Sequence, residues 1–254
     1  MTTPLLDVRG LTVRYGGVVA LDGVDLEVGA GSLVGLIGPN GAGKTTFIDA
    51  VTGFARAAGT VAFEGRSLDT LSPHARARAG LARTFQGGAL FEDLSVEDQL
   101  RVAAERPGVR DLLTDACKPW RRVRRNERVE QPLELLGLDH CRSTPARELP
   151  HGTRRLVGIA RALAAAPRLV LLDEPAAGLD PADRARLGDH LRAIVAHGAS
   201  VLLVDHDVDL VFSVCDVVYV LDFGAVIVHG PPGAVRIHPA LVEAYLGTAV
   251  GEEP

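Results

Sequence analysis

The chain has 254 residues, of which 47% are hydrophobic and 23% are charged, and its formal net charge is -5. This length and apolar content are enough for a full core, so we expect one domain with a subdomain and no extensive disorder. A net negative charge disfavours general nucleic-acid binding, which requires a basic surface.

The cysteine content and the apolar segments place further limits on the class of protein. Cys117, Cys141 and Cys215 are far apart and form no Cys-x-x-Cys pair, so neither a disulfide framework nor a zinc site is expected, and a reducing cytoplasm fits best. Residues 1–9 lack the long apolar stretch of a secretory signal. Because no window of about 18 apolar residues is present, we expect any membrane association to be peripheral.

The N-terminal third is predicted to be rich in strands. Alternating apolar and polar residues indicate strands over residues 5–15 and 24–28. The apolar run Leu33–Ile37 is typical of a strand that is buried on both faces, and residues 60–63 indicate a further short strand. A helix is expected from Thr45 onward.

The middle of the chain is predicted to be helical, and a second set of strands follows it. Apolar residues recur at helical spacing in four segments, which are residues 72–81, 95–104, 127–136 and 152–165. Continuous apolar runs at 168–172 and 200–204 predict buried parallel strands, with a helix at 181–196 between them. Residues 216–221 and 225–228 predict a hairpin around Gly224, and residues 239–246 a last helix.

A phosphate-binding loop is the most specific motif. Residues 38–46 match the pattern G-x-x-x-x-G-K-[ST] and lie between a predicted strand and a predicted helix, which disfavours a glycine-rich turn with an incidental lysine. Its glycines leave the backbone N–H groups free to surround an anion at a helix N-terminus. Lys44 is expected to reach the terminal phosphates, the Thr45 hydroxyl to bind Mg²⁺, and Thr46 to lie near the inner phosphates. The predicted nucleotide-binding residues here are Gly38, Pro39, Asn40, Gly41, Ala42, Gly43, Lys44, Thr45 and Thr46.

Two acidic residues follow the predicted strand at 168–172. Ligands of open α/β sheets bind at the carboxyl ends of strands. Asp173 and Glu174 lie at the carboxyl end of this strand. We expect Asp173 to hold the hydration shell of Mg²⁺ and Glu174 to polarise a water for in-line attack on the γ-phosphate. Beside a phosphate-binding loop, this interpretation is favoured over two acids that cap a turn before Pro175.

Two further positions have both a structural and a functional interpretation. Asp180 precedes a proline that starts a helix, so it is a suitable N-cap residue whatever else it does. His206 lies between Asp205 and Asp207 after a predicted strand. A metal site there is not expected, because no second histidine has ligand spacing.

With its parts in this order, the chain resembles the ATP-binding subunit of ABC transporters along essentially its full length. The resemblance implies a single α/β domain with a P-loop NTPase core, an antiparallel β subdomain and an inserted helical subdomain. We divide it into residues 1–86, the β subdomain with the P-loop core; residues 87–166, the helical subdomain; and residues 167–254, the rest of the core.

Several residue roles are implied by the resemblance alone. By this resemblance Tyr15 stacks on adenine, Gln86 senses Mg²⁺ and the attacking water, and His206 contacts the γ-phosphate. Residues 178–180, which end at Asp180, correspond to the family's D-loop. By their residue types alone, Tyr15 is typical of an exposed aromatic at a strand end and Gln86 of a solvated loop residue.

The segment that corresponds to the family signature departs from its usual form. Where the family typically has Leu-Ser-Gly-Gly-Gln, this chain has residues 149–153, of which only Leu149 and Gly152 match. Pro150 removes the serine hydroxyl that is expected to touch the γ-phosphate of the opposing subunit. Backbone N–H groups near Gly152 and the helix dipole remain available, so we expect a weaker but functional half-site.

The finer resemblance is to the branched-chain amino acid importer group. It is carried by residues 80–86 and 174–179, by a long insert at about 103–128, and by residues 244–247, although related subunits for urea uptake or lipopolysaccharide export share parts of these features. The insert is rich in arginine beside Trp120. That composition is compatible with a lipid-headgroup or nucleic-acid patch, but a solvated helix face is favoured.

The resemblance implies an ATP-hydrolysing subunit that powers an importer for branched-chain or related amino acids. ATP would bind between two such subunits, identical or homologous, which would act with two membrane permease subunits and an extracytoplasmic binding protein at the cytoplasmic face of the membrane. A soluble ABC ATPase of translation or DNA repair is disfavoured, because the chain has neither two cassettes nor a coiled-coil insert. A P-loop kinase is disfavoured by Glu174 and His206, which suit attack by water.

Overall fold

The structure is a computed structural model that describes residues 3–84, 90–105 and 119–246, with only the backbone of residues 119–125 and 246. Its strands are β1 (Leu6–Tyr15), β2 (Val18–Val28), β3 (Leu33–Ile37), β4 (Ala58–Phe63), β5 (Arg66–Ser67), β6 (Leu81–Arg83), β7 (Leu169–Asp173), β8 (Ser200–Val204), β9 (Val217–Asp222) and β10 (Ala225–Gly230). Its helices are α1 (Lys44–Thr52), α2 (Pro73–Ala79), α3 (Val96–Ala104), α4 (Pro119–Leu135), α5 (His151–Ala164), α6 (Pro181–Ala196), α7 (Val208–Val214), α8 (Pro232–Arg236) and α9 (Pro239–Leu246).

A four-stranded antiparallel sheet with the order β2-β1-β4-β5 forms the N-terminal layer. Buried and exposed residues alternate along much of β1, as expected for a sheet with one face on the core. β2 is longer than predicted and begins at Val18, which pairs with Tyr15 across a turn. The turn contains Gly16, whose φ of +59° favours glycine. The prediction that this strand starts at residue 24 was therefore wrong.

The second sheet has six strands in the order β10-β9-β3-β8-β7-β6. Neighbouring strands from β9 to β6 pair in parallel, and β10 pairs antiparallel at one edge. All residues of β3, β7 and β8 are buried, as their continuous apolar runs predict.

Both faces of this six-stranded sheet are covered. Leu33 and Ile37 of β3 pack into a core that includes residues of α3, α5, α6 and α7. Val34 and Leu36 of the same strand face the opposite core, which is formed with β1, β2 and α1. Side chains of a strand alternate between faces, so each apolar strand joins two hydrophobic layers.

Several helix predictions were wrong in detail. The helix predicted over 72–81 ends at Ala79, because Gly80 adopts φ +115° and a short parallel strand, β6, begins at Leu81. The helix predicted over 127–136 is longer and begins at Pro119. β5, α7 and α8 were not predicted.

The predicted fold class, an α/β core with an antiparallel sheet and additional helices, is confirmed. None of the helices described here is long and apolar enough to cross a membrane.

Candidate functional site

Three parallel strands end at one edge of the large sheet and carry the predicted site residues. β3 leads into the phosphate-binding loop, β7 ends at Asp173, and β8 is followed by Asp205 and His206. Because β3 and β7 both pair with β8 in parallel, the three segments meet at the carboxyl edge of the sheet.

The backbone of the phosphate-binding loop has no space for side chains at two of its glycines. A Cβ atom at Gly38 would lie 2.1 Å from the carbonyl oxygen of Leu221, and one at Gly43 would lie 2.6 Å from that of Ala20. Gly43 has φ +107° and is the N-cap of α1, so no side chain caps the first turn of this helix. These uncapped N–H groups fit an anion at the helix N-terminus.

Lys44 is buried inside its own loop. Its ammonium group donates hydrogen bonds to the carbonyl oxygens of Gly38 at 2.8 Å and Pro39 at 2.9 Å. Burial lowers the pKa of Lys44, and the negative charges of Glu174 and Asp173 oppose that shift. The lysine therefore lies within electrostatic reach of the acidic strand end.

Asp173 is 4% exposed, and neither carboxylate oxygen has a hydrogen-bond partner among the described residues. Its backbone N–H donates to the Thr84 hydroxyl at 3.2 Å. Burial, and then the charge of Glu174, raise the pKa of Asp173 to about 6. A buried carboxylate with unsatisfied oxygens is costly, so a cation that uses them would stabilise this arrangement.

The structure brings Glu174 and His206 together. The His206 Nδ1 atom lies 3.8 Å from Glu174 Oε1 and 3.6 Å from Asp205 Oδ1. Glu174 has φ +48°, an uncommon backbone conformation for a residue other than glycine. A non-glycine residue held in this region is an observation that motivates a functional hypothesis.

Asp205 organises the loops around this pair. It is fully buried, and its carboxylate accepts hydrogen bonds from the backbone N–H groups of Ala176 at 3.1 Å and Asp207 at 3.0 Å. It thereby joins the segment after Glu174 to the segment that holds His206. From the sequence, Asp205 was considered only as a neighbour of His206, although an acid directly after a buried strand was the available signal.

The signature and D-loop segments lie together. Gly152 is in the first turn of α5, and a Cβ atom there would be 3.3 Å from Leu179 Cδ2 and 3.1 Å from Asp183 Oδ2. Leu149 is buried. Asp180 caps α6 by accepting a hydrogen bond from the Asp183 N–H at 2.7 Å, which confirms its predicted N-cap role.

Two other predicted site residues are not joined to this cluster by a described contact. Tyr15 is 54% exposed at the β1–β2 turn, while β2 passes the phosphate-binding loop at Ala20. Gln86 lies outside the described residues. Thr84 is the nearest described residue before Gln86, and it contacts Asp173 through the hydrogen bond given above.

The residues present fit ATP with Mg²⁺. Glycines that allow no Cβ, an uncapped helix N-terminus and a buried lysine suit the phosphates. The exposed Thr45 hydroxyl and the unsatisfied Asp173 carboxylate are oxygen ligands of the type that Mg²⁺ uses together with phosphates and waters.

A phosphate-binding loop on a parallel sheet, with acids at the end of a neighbouring strand, defines a P-loop nucleotide-binding protein. The ABC transporter family model matches residues 21–177. The chain belongs to this family, and it is an ABC-type ATP hydrolase.

Individual relatives support the finer resemblance. The chain is 38% identical to the high-affinity branched-chain amino acid transport ATP-binding protein BraF of Pseudomonas aeruginosa, over 98% of this chain and 100% of that protein. It is 37% identical to the lipopolysaccharide export system ATP-binding protein LptB of Escherichia coli, over 95% and 97%. A crystal structure of a nucleotide-free ATP-binding cassette from an ABC transporter matches with a TM-score of 0.83 and 32% identity, over 96% of this chain and 99% of that one.

Proposed function

We propose that this chain is the ATP-hydrolysing subunit of an importer for branched-chain or related amino acids. The observation that carries the proposal is the meeting of Lys44, Asp173, Glu174 and His206 at one sheet edge. Those groups supply phosphate binding, cation binding and activation of water within one site. The similarity to BraF over nearly the full chain supports the choice of cargo class.

Nucleotide binding rests on the loop at residues 38–46. Its N–H groups and Lys44 would hold the phosphates, and Thr45 and Asp173 would hold Mg²⁺. When bound, Mg²⁺ supplies positive charge that neutralises the phosphates. Tyr15, exposed beside the strand that passes the loop, would stack on adenine.

Hydrolysis rests on the acidic edge of the sheet. Glu174 is assigned to accept a proton from the attacking water, and His206, 3.8 Å from it, to contact the γ-phosphate. Gln86 is assigned to sense this water and Mg²⁺. The pairing of a carboxylate with an exposed imidazole favours transfer to water over transfer to a second substrate.

ATP binding is proposed to bring together two ATPase subunits, either identical or homologous. Leu149, Gly152 and Asp180 cluster at the N-termini of α5 and α6. In the family pattern, these segments close over the ATP that is held by the opposing subunit. Closing and opening of this pair would deliver the mechanical work.

A separate surface suits a permease subunit. An apolar cavity of about 840 Å³ is lined by exposed side chains that include Phe54, Phe91 and Val102. Among the described residues, the charged side chains that line it are Arg76, Arg83 and Arg161, which are all basic. An apolar segment with an acidic flank complements this lining. In the sequence, Gln86 lies between Thr84, which contacts Asp173, and Phe91, which lines the cavity, so Gln86 is proposed to couple the site to the permease. Two permease subunits and an extracytoplasmic binding protein would complete the importer at the cytoplasmic face of the membrane.

A second candidate is an exporter or a urea importer. The 37% identity to LptB over most of both chains favours keeping lipopolysaccharide-type export as an alternative. The cargo is not bound by the ATPase, so this chain's nucleotide site is compatible with either assignment.

The test is the ATPase rate and the molecular size of the purified chain with and without ATP and Mg²⁺, for the parent and for Glu174→Gln. We expect the parent to hydrolyse ATP and Glu174→Gln to accumulate as an ATP-dependent dimer with little turnover. Glu243→Gln, an exposed change on α9, is the matched control and should behave as the parent. Full turnover by Glu174→Gln would refute the assignment of the base.

Cargo is tested first by reading the genes beside this reading frame, where permease and binding-protein genes would support import, and then by co-expression with such genes. Uptake of labelled leucine by proteoliposomes that contain the complex, and no uptake with Glu174→Gln, would support amino-acid import. ATP-dependent movement of urea or lipopolysaccharide instead would replace that part of the proposal.

A further inference from the structure

A single arginine side chain connects helix α5 to the backbone of Glu174. The Arg155 Nη1 atom donates a hydrogen bond to the Glu174 carbonyl oxygen at 2.7 Å. Arg155 lies one turn after His151, at the start of the helix that follows the signature segment. The contact thus runs from the signature helix to the residue that follows β7.

Glu174 is held at both of its backbone polar groups. Its N–H donates to the carbonyl oxygen of Val204, the last residue of β8, at 2.7 Å. Its carbonyl accepts from Arg155 at 2.7 Å and, across a turn, from the N–H of Ala177 at 3.3 Å. Held by these three hydrogen bonds, the residue adopts φ +48°. Such a conformation costs about 1 kcal/mol or more for a residue other than glycine, so surrounding contacts must maintain it.

The contact that Arg155 makes leaves part of its guanidinium group buried and unsatisfied by the residues that the structure describes. Its side chain is half-buried, and its Nε atom is buried without a hydrogen-bond partner among the described residues. It also borders a small cavity of about 30 Å³ that Asp173 and Thr84 line. An unsatisfied buried donor opposes stability, so stabilisation of the fold alone is a poor explanation for an arginine here.

The neighbouring arginine makes different contacts. Arg154 bonds to the carboxylate of Glu92 and to the carbonyl oxygen of Ala146. Its hydrogen bonds lie away from the Glu174 backbone. Of these two adjacent arginines on α5, only Arg155 therefore contacts the end of β7.

We infer that Arg155 is a positioning residue for Glu174. It fixes the backbone conformation that sets the orientation of the Glu174 carboxylate, and this orientation therefore depends on the position of α5. A shift of α5 relative to β7 breaks or restores one hydrogen bond and so turns the carboxylate away from or toward the attacking water. The inference rests on the proposed function, in which Glu174 acts on that water. It adds a direct link from the signature helix to hydrolysis within one subunit.

The test compares Arg155→Ala, Arg155→Lys and the control Arg154→Ala, each with and without Glu174→Gln, in the full chain. We expect Arg155→Ala to lower kcat by about 10- to 100-fold, the size of effect that a small misplacement of a reacting group produces, with KM for ATP changed by less than about threefold. Arg155→Lys, which keeps a donor, should recover part of kcat. Arg154→Ala should keep the parent kcat.

Two readouts separate positioning from a merely structural role. In the Glu174→Gln background, Arg155→Ala should lower kcat no further, because the carboxylate that it positions is gone. Arg155→Ala alone should also accumulate as an ATP-dependent dimer, like Glu174→Gln. If Arg155→Ala does not fold, the same criteria apply to Arg155→Lys, which must then show a reduced kcat at unchanged KM.

The failures of the two proposals are distinguishable. Normal turnover by Glu174→Gln would overturn the proposed function. Slow turnover by Glu174→Gln together with parent-like turnover by Arg155→Ala, or with a further loss of kcat when the two changes are combined, would overturn the positioning role alone.

Discussion

Lys44 donates a hydrogen bond from its ammonium group to the carbonyl oxygen of Gly38, 2.8 Å away, so the lysine closes the loop to which it belongs. Phosphate oxygens would compete with this carbonyl for the same donor. Because a bond between two charged groups is stronger than one to a carbonyl oxygen, we expect a bound phosphate to win this competition. Lys44 is already buried in the loop that would hold the phosphate.

Replacement of this lysine should separate binding and catalysis from folding. We expect Lys44→Met to lower kcat by at least about 100-fold and to weaken ATP binding, because a buried positive charge at the phosphates is lost. Stability should change by less than about 1.5 kcal/mol, because a buried charge with a lowered pKa is exchanged for an apolar side chain of similar length. ATPase assays, nucleotide titration and urea unfolding measure these effects. Lys118→Met, at the only other lysine of the sequence, is the control.

Two glycines of the same loop should differ when each is changed to alanine. Gly43→Ala places a Cβ 2.6 Å from the Ala20 carbonyl oxygen at φ +107°, whereas Gly41→Ala meets no atom within 4 Å at φ +82°. We expect Gly43→Ala to destabilise the nucleotide-free chain by about 3 kcal/mol or more and Gly41→Ala by about 1 kcal/mol, since only the first adds a backbone clash to the conformational strain. Equal losses in urea unfolding would contradict the packing around Gly43.

The elements that were predicted correctly are those whose pattern has one physical interpretation. The continuous apolar runs of β3 and β8 are too short for helices and too apolar for a half-exposed strand. β6 was missed because it has three residues, and its pairing with β7 depends on a segment 88 residues away in the sequence, as between Leu81 and Leu169. α7 was missed because seven residues after Asp207 give too little periodicity to identify a helix.

The site was predictable where a motif carries its own chemistry, as at Lys44 and Asp173. It was not predictable where the direction of a side chain decides which residue contributes to the site. The pattern of α5 does not tell which of Arg154 and Arg155 contacts Glu174, since adjacent residues on a helix point about 100° apart and either direction suits a long, charged side chain. The left-handed conformation of Glu174 has no signal in the sequence, because it arises from contacts with two separate elements.

The buried thiol of Cys215 should make stability fall at alkaline pH. Burial raises the pKa of Cys215 well above its ordinary value. The unfolded chain loses this proton above a pH of about 8.5 while the folded chain keeps it, so stability is retained below that pH and decreases by about 1.4 kcal/mol per unit above it. Urea unfolding between pH 8 and 10 should show this decrease in the parent and a smaller one in Cys215→Ala. Parallel pH dependences of the two proteins would contradict the burial of this thiol.

The atypical signature should still be required for turnover. Gly152→Glu adds a carboxylate next to Asp183, whose Oδ2 lies 3.1 Å from the position of the new Cβ. We expect ATP binding by the monomer to be kept, and the ATPase rate and the ATP-dependent dimer to fall at least about tenfold through repulsion of phosphate by the new charge. Gly233→Glu, at an exposed position of α8 with open space around its Cβ, is the control. Normal turnover by Gly152→Glu would remove this segment from the site.

The cavity between α3 and α5 should be needed for permease binding and not for hydrolysis by the isolated chain. Val102 lines this cavity and is 49% exposed, as is Val242 on α9, which is not part of the lining. Val102→Asp places a carboxylate where an apolar permease segment with an acidic flank would pack, which adds a desolvation cost and repulsion between like charges. We therefore expect Val102→Asp to keep the basal ATPase rate and to lose co-purification with the permease, whereas Val242→Asp keeps both. If Val102→Asp still co-purifies at the parent level, the permease binds elsewhere, and the proposed coupling of Gln86 to a permease at this cavity is wrong.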